Sequence, residues 1–272
     1  MTLAAIDFGI TNIDAIFRRG GELIHTRLAT ESRPLVEQFA AVFQTLCDGA
    51  GCPIDRIAVT GGRYRSLPER IEDVELVKVS EVSAIGRGGL YLAGLDEALV
   101  VSAGSGTAMV AARHTEAFHV TGSAVGGGTL QGLGRLLLGT ADAAEIDRLA
   151  MQGNANAVDL TLVEAVGSAV GKLPVDANAV NFGRLATEAV DPSRSDLAAG
   201  LVRLVGQVIA VIAINAARAE GLERIVVTGH LVDLASMRRV LEEVAGYYHA
   251  NISVPSQPGI GTAAGALLCL EE

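Results

Sequence analysis

Two short segments of this chain carry residue types that hold phosphate. One is DFGITN, residues 7–12, and the other is SAGSGTA, residues 102–108. Each lies between apolar runs that read as strands. Turns of this composition can present backbone N–H groups and hydroxyls to a phosphate chain without help from lysine. Asp7 heads the first turn and can hold Mg²⁺, commonly through water, because magnesium prefers oxygen ligands and keeps much of its hydration shell. The same residues also make ordinary tight hairpin turns. What favours phosphate is the recurrence of the turn, together with the glycines at 126–128. These belong to HVTGSAVGGGTLQGLGRLL, residues 119–137, which is glycine-rich and then abruptly helix-friendly. Such backbone freedom before a helix serves either a phosphate or close packing of the helix on a sheet.

Other phosphate-binding templates fail. A Walker A loop needs GxxxxGK followed by Ser or Thr, and the only lysines are Lys78 and Lys172, neither in that setting. The dinucleotide pattern GxGxxG breaks at Gln131, where its third glycine belongs. A net charge of −10 argues against general nucleic-acid binding, which rests on Lys and Arg neutralising phosphates. The three cysteines, Cys47, Cys52 and Cys269, form no CxxC pair, which excludes the usual zinc and iron–sulfur spacings and fits a reducing compartment. The N-terminus enters LAAIDFG with no basic leader, and the longest apolar run, VIAVIAINAA at 208–217, is too short to span a bilayer. The expectation is a cytoplasmic protein that binds neither membrane nor nucleic acid.

The elements that must position these turns repeat. TLAAIDFG reads as a buried strand, and two more follow around Gly20–Gly21. PLVEQFAAVFQTLCDGAG is a helix opened by Pro34 and closed by glycines. RIAVTGG is a strand and turn; VELVKVSEVSAIGRGGLYLAG is a short strand and a helix. EALVVSAGSGTAMVAARHTEAFHVTGS then repeats the opening strand–turn–strand scheme. The last third is mostly helical: a long apolar helix over 195–220, a strand and helix in RIVVTGHLVDLASMRRVLEEVAGY, and a Gly/Ala-rich closing helix. Strands alternating with helices predict an α/β fold. Residues 153–196 form the least regular stretch.

With these segments in this order, the chain resembles the type II (eukaryotic-like) pantothenate kinases of the acetate/sugar kinase–chaperone–actin superfamily, over almost its whole length. DFGITN sits where that family has a DxGGT turn, VKVSEVSAIGRGGLYL where it has its catalytic glutamate, and SAGSGTAM where it has its second phosphate turn. VTGSAVGGGTLQGLG matches its VTGxxxGGGT stretch, and GIGTAAGALL its closing helix. The resemblance implies a two-lobed actin-like ATPase (ribonuclease H-like) fold with duplicated βββαβα lobes, residues 1–95 and 96–272. It implies transfer of phosphate from Mg-ATP to a primary hydroxyl of pantothenate or a related alcohol, as a step of coenzyme A biosynthesis, by a homodimer formed through the second lobe. Glu81 would then be the catalytic base and Asp7 the metal ligand. Thr11, Asn12, Gly104, Ser105, Gly106, Thr107, Gly126, Gly127, Gly128 and Gly229 would hold the nucleotide, and Ser102, His119, Thr121 and Gly122 the acceptor.

Three positions depart from that family. Ile10 replaces the second glycine of the turn, where a β-branched residue resists positive φ and crowds the γ-phosphate side. Asp14 stands where the family often has lysine. His119 stands where it has the arginine that binds pantothenate, and Arg offers a rigid charged fork that His lacks. The alternatives are therefore a sibling kinase with another acceptor, or a nucleotide-binding regulator on the same fold; a sugar kinase fits less well. His230 lines either a loop or the adenosine site; NFGR, residues 181–184, resembles a segment of the family, or Phe182 simply plugs the core. Arg63 and Arg65 of GGRYR meet an anion or form a solvated loop.

Overall fold

The repeated strand–turn–strand scheme folds into two sheets. The computed structural model describes residues 2–19, 21–51, 53–71 and 74–271. Cys52 and Gly20, the first residue of the expected Gly20–Gly21 turn, lie outside them. The first sheet contains β1 (Leu3–Phe8), β2 (Asn12–Arg19), β3 (Glu22–Ala29), β4 (Arg56–Gly61), β5 (Arg70–Ile71) and β6 (Val74–Lys78), in the order β3-β2-β1-β4-β6-β5. The first three strands are antiparallel, and β4 and β6 add in parallel. Helix α1 (Leu35–Ala50) connects β3 to β4, and α2 (Glu81–Ala93) follows β6. Pro34 is the N-cap of α1, and Gly51 closes it in the left-handed conformation.

The second sheet repeats the plan. β7 (Glu97–Ala103), β8 (Thr107–Arg113) and β9 (Glu116–Ser123) are antiparallel, followed by α3 (Gly127–Leu138) and α4 (Ala143–Gln152). The irregular stretch holds a small two-stranded sheet, β10 (Leu160–Thr161) and β11 (Asn178–Val180), with the short helices α5 (Leu162–Val166) and α6 (Gly183–Thr187). Then come α7 (Arg194–Ala219), β12 (Arg224–Thr228), α8 (Ala235–Tyr248), β13 (Asn251–Ser253) and α9 (Gly261–Glu271). The five-stranded order β13-β12-β7-β8-β9 mirrors the first lobe.

Both sheets are covered on both faces, which explains their continuous apolar runs. In β7, Leu99 and Val101 face the cluster built around α7, while Ala98 and Val100 face Ile85 and Leu90 of α2. In β1, Ala4, Ile6 and Phe8 face Phe39, Val42 and Leu46 of α1, while Ala5 faces Ala263 and Leu267 of α9. The closing helix thus returns to the first sheet, and α2 lies on the second.

These two helices cross in near-backbone contact. A Cβ built on Gly88 of α2 would lie 1.8 Å from the Gly261 carbonyl oxygen, and one on Gly265 of α9 would lie 1.8 Å from the Ala84 carbonyl oxygen. Only glycine permits this approach.

The run 208–217 is part of the 26-residue helix Arg194–Ala219, which contains an 18-residue window of mean hydropathy 2.2 and is long and apolar enough to cross a membrane by length and composition. The ten-residue run therefore understated the helix. Burial accounts for its character: 61% of that apolar window is buried within the fold.

Candidate functional site

The two candidate phosphate turns meet. Thr11 at the end of the β1–β2 turn and Ser105 in the β7–β8 turn share a hydroxyl–hydroxyl hydrogen bond of 2.6 Å, although they lie in different sheets. Beside them opens a cavity of about 640 Å³, lined by Asp7, Thr11, Asn12, Ser102, Gly104, Ser105, Gly127 and Gly229 among others. Gly9 lets the first turn close, because a Cβ there would lie 2.6 Å from the Asn12 carbonyl oxygen. Ile10 does not strain this turn: its φ is not positive, and its side chain is 79% exposed at the tip. The expected conflict between a β-branched residue and positive φ does not arise.

The glycines at 126–128 support the second turn from behind. Gly127 N–H donates to the Gly104 carbonyl at 2.8 Å, and Gly128 N–H to the Ser105 carbonyl at 2.9 Å. A Cβ on Gly126 would lie 2.7 Å from the Ser105 carbonyl oxygen. Of the three, only Gly127 lines the cavity. The glycine-rich stretch therefore packs the start of α3 onto the turn. Thr107 is buried and donates to the Val125 carbonyl at 2.9 Å, and neither it nor Gly106 lines the cavity. Gly229 has φ 95°, where L side chains are strained, and its N–H donates to Pro258.

Charge concentrates at the first-lobe end of the cavity. The Asp7 carboxyl makes no hydrogen bond or ion pair with the described residues, and its pKa is raised to about 7. Burial is the main cause, followed by the charges of Asp14 and Glu81. Asp14 is directly opposite Asp7 on β2 and is buried. It accepts from His25 Nε2 at 2.7 Å and from His230 Nε2 at 2.8 Å. Burial acts to raise the Asp14 pKa, but those two hydrogen bonds outweigh it and hold the carboxyl below its ordinary value. His230 also bonds Asp233 through Nδ1 at 2.8 Å. Burial would lower its pKa; the two carboxylates instead lift it to about 9. Arg27 lies 3.9 Å from Asp14 and 3.6 Å from Asp233.

Sequence reasoning missed His25, Arg27 and Asp233. The β2–β3 register that pairs Asp14 with Arg27 follows from counting outward from the Gly20–Gly21 turn, so that signal was present. His230 lies 216 residues from Asp14, and no local pattern joins them. The far end of the cavity is lined by Leu130, Gln131, Asp142, Asp147, Arg148 and Leu234. There the Asp147 carboxylate accepts from Ala235 N–H, Ser236 N–H and the Ser236 hydroxyl, fixing the start of α8 against α4.

Glu81 lies elsewhere, in the first turn of α2, at a neighbouring cavity of about 380 Å³ that includes Gly61 to Arg65. Gly61 of this second cavity has φ 88°, and an added Cβ there would lie 2.3 Å from Oδ1 of Asp7, which lines the first. His119, Thr121 and Gly122 lie on β9, outside the lining of both cavities, and His119 is exposed. Phe182 has φ 56° and caps α6, with its ring against the second-lobe core.

Among the described residues, no three His, Cys, Asp or Glu side chains cluster as a metal site. One unpaired carboxylate facing the cavity nevertheless suits Mg²⁺, which is commonly held by one or two carboxylates plus water and phosphate oxygens.

The sequence model of the Fumble family matches residues 97–251, more than half of the chain. The chain belongs to the Fumble family. A type II pantothenate kinase of Oceanobacillus iheyensis is 26% identical over 277 residues, covering 98% of this chain and 99% of that one. A Bacillus cereus counterpart is 24% identical, over 79% of this chain and 80% of that one. Among solved structures, this Fumble-family chain is similar to the activator of 2-hydroxyisocaproyl-CoA dehydratase from Clostridium difficile with bound ADPNP. The TM-score is 0.69 and the identity 17%, covering 99% and 94% of the two chains. It is also similar to the ROK hexokinase of Thermus thermophilus, at TM-score 0.55 and 15% identity, covering 100% and 99%. These likenesses show the two-lobed actin-like ATPase fold.

Proposed function

We propose that this protein is an ATP-dependent kinase that phosphorylates a primary hydroxyl of pantothenate or a closely related alcohol. The observation that carries the reading is the meeting of Thr11 and Ser105 at 2.6 Å beside a cavity large enough for a nucleotide, with Glu81 in the second cavity. Full-length relatives named type II pantothenate kinase support the same reading.

In this reading the turn hydroxyls exchange their mutual bond for phosphate oxygens, and the far end of the cavity takes the base. Glu81 accepts the hydroxyl proton as the acceptor oxygen attacks the γ-phosphorus and the bridging bond to the β-phosphate breaks, releasing ADP. Asp7 would hold Mg²⁺, which when bound would supply neutralisation of developing phosphate charge. Positioning of the two ends by two lobes supplies most of the remaining catalysis, and closure excludes water.

We also propose a homodimer. Leu204, Val208 and Val211 recur at helical spacing on α7 and remain only partly buried, as does Gln207 between them. Exposed Val163, Val166, Val170 and Val175 add apolar surface in the same lobe. A cytoplasmic location fits an ATP-consuming step of coenzyme A synthesis.

The test couples ADP release to a chromogenic readout, with Mg-ATP and pantothenate. No ADP release above background removes the acceptor, and no heat with Mg-ATP in calorimetry removes the nucleotide site. A nucleotide-binding regulator would release no acceptor-dependent ADP and would behave the same with Glu81→Gln.

A further inference from the structure

We propose that Arg63 and Arg65 form the anion-binding half of the acceptor cavity, so that the loop after β4, not β9, holds the acceptor's carboxylate. The inference rests on the kinase reading above and names the specificity residues of that site. The cavity beside Glu81 is lined by Gly61, Gly62, Arg63, Tyr64, Arg65, Ser80, Glu81 and Val82. Its charged lining is thus one carboxylate and two guanidinium groups. That polarity suits a small organic anion that offers a hydroxyl to Glu81 and a carboxylate to the arginines.

Three observations support a built site. First, among the described residues no carboxylate pairs with Arg63 or Arg65. The chain is acidic overall, and Arg18, Arg56, Arg184 and Arg194 all find acidic partners.

Second, the loop is held in shape. Arg63 has φ 61°, an uncommon conformation for a non-glycine residue. Its carbonyl accepts from the Ser66 hydroxyl at 2.8 Å and from Ser66 N–H at 2.9 Å. Tyr64 is buried beneath the loop, and the Arg65 guanidinium lies 5.6 Å from its ring centroid.

Third, the loop abuts the reaction centre. Gly62 N–H donates to the Phe8 carbonyl at 2.7 Å, and Arg63 also lines a small cavity with Gly9 and Ile10 of the first phosphate turn. An anion held here lies between that turn and Glu81. His119 lies outside this cavity, so the arginine absent from β9 is answered from another strand end. Arginine's planar fork suits a carboxylate bidentately.

The experiment measures R63Q and R65Q against the wild-type chain, with thermal melts to confirm folding. Each is tested with pantothenate and with its neutral amide, by steady-state kinetics and by calorimetric titration without ATP. The expected result is a rise of about tenfold or more in both KM and Kd for pantothenate, with the amide and Mg-ATP changed by less than about twofold. R63K and R65K should recover part of the loss. Equal losses on acid and amide, or a loss confined to Mg-ATP, overturn the inference; the latter would place the arginines on the γ-phosphate. No pantothenate binding by the wild type also overturns it. Arginine-dependent binding without turnover leaves the anion site standing and removes the kinase reading. If R63Q fails to fold, R65Q decides alone.

Discussion

The hydrogen bond between Asp14 and His230 ties β2 of the first lobe to the turn after β12 in the second, and it should make the unliganded protein less stable as pH rises from 7 to 10. The His230 pKa is raised from 6.5 to about 9, the carboxylates of Asp14 and Asp233 overcoming the opposing effect of burial. A histidine with a raised folded pKa contributes its full stabilisation below its unfolded pKa and loses it as pH rises through the folded value. The difference between about 9 and 6.5 corresponds to about 3 kcal/mol. Linkage leaves most of it at pH 7, less than half at pH 8 and almost nothing at pH 10. Asp14 acts at the other end of the range. Its folded pKa is lowered, so its contribution is present above the ordinary carboxylate range and lost as pH falls through the folded value. Urea denaturation of the wild type and His230→Gln at pH 6.5, 8 and 10 reads the first limb. The gap between the two should be wide at pH 6.5 and close by pH 10. The imidazole proton shift of His230, followed by NMR, should titrate near 9 and fall back toward 6.5 in Asp14→Asn. A gap that does not change with pH, or a His230 that titrates near 6.5, would refute the interlobe ion pair.

Further outcomes follow from the site and the core. Glu81→Gln should lower kcat by about 10²–10⁴-fold while leaving Mg-ATP binding intact, as read by single-turnover kinetics and calorimetry. Asp7, with a pKa of about 7, is partly protonated at neutral pH, so Mg-ATP binding at pH 7 should release a fraction of a proton. Calorimetry in buffers of different ionisation enthalpy measures that release; Asp7→Asn should abolish it, together with the Mg²⁺ dependence of ATP affinity. Gly265→Val should cost about 3 kcal/mol or more by forcing α2 and α9 apart. Gly132→Ala on α3, where a Cβ meets nothing within 4 Å, should stabilise by about 0.5–1 kcal/mol in the same melts.

Local patterns made the elements legible and left their assembly obscure. The capped helix at 35–50 and the buried strands around Asp7 and Ser102 each carry their signals within a dozen residues. The two turns were recognisable because duplication printed the same residue types twice. By contrast, nothing near Gly265 shows that the closing helix crosses back onto the first sheet, since its partner Ala84 is some 180 residues away in a chain that could pair glycines in many ways. The glycines at 126–128 show the limit differently. Their composition suited both phosphate contact and close packing, and only the hydrogen bonds to Gly104 and Ser105 reveal the packing role. Arg63 and Arg65 read as a solvated loop until β4 and α2 placed them around one cavity with Glu81.

The exchange of a lysine for Asp14 reads from sequence as an inversion of charge beside the phosphate turn. The fold changes the sign of that argument. Asp14 is not a free carboxylate facing phosphate; it is buried, and its two oxygens accept from His25 and His230. With the His230 pKa at about 9, that ring is a cation at pH 7 and cancels one negative charge. Arg27, close to Asp14 and Asp233 and lining the cavity of about 640 Å³, adds another positive charge. The positive charge that one lysine would supply is thus drawn from β3 and from the second lobe, with Asp14 as the anchor that holds both. On this account Asp14→Lys should not improve ATP binding. It would leave two cations facing a third in a partly buried site, and both Mg-ATP affinity and the melting temperature should fall. A tighter nucleotide complex in that variant would show that the cluster is not a relocated phosphate-facing charge.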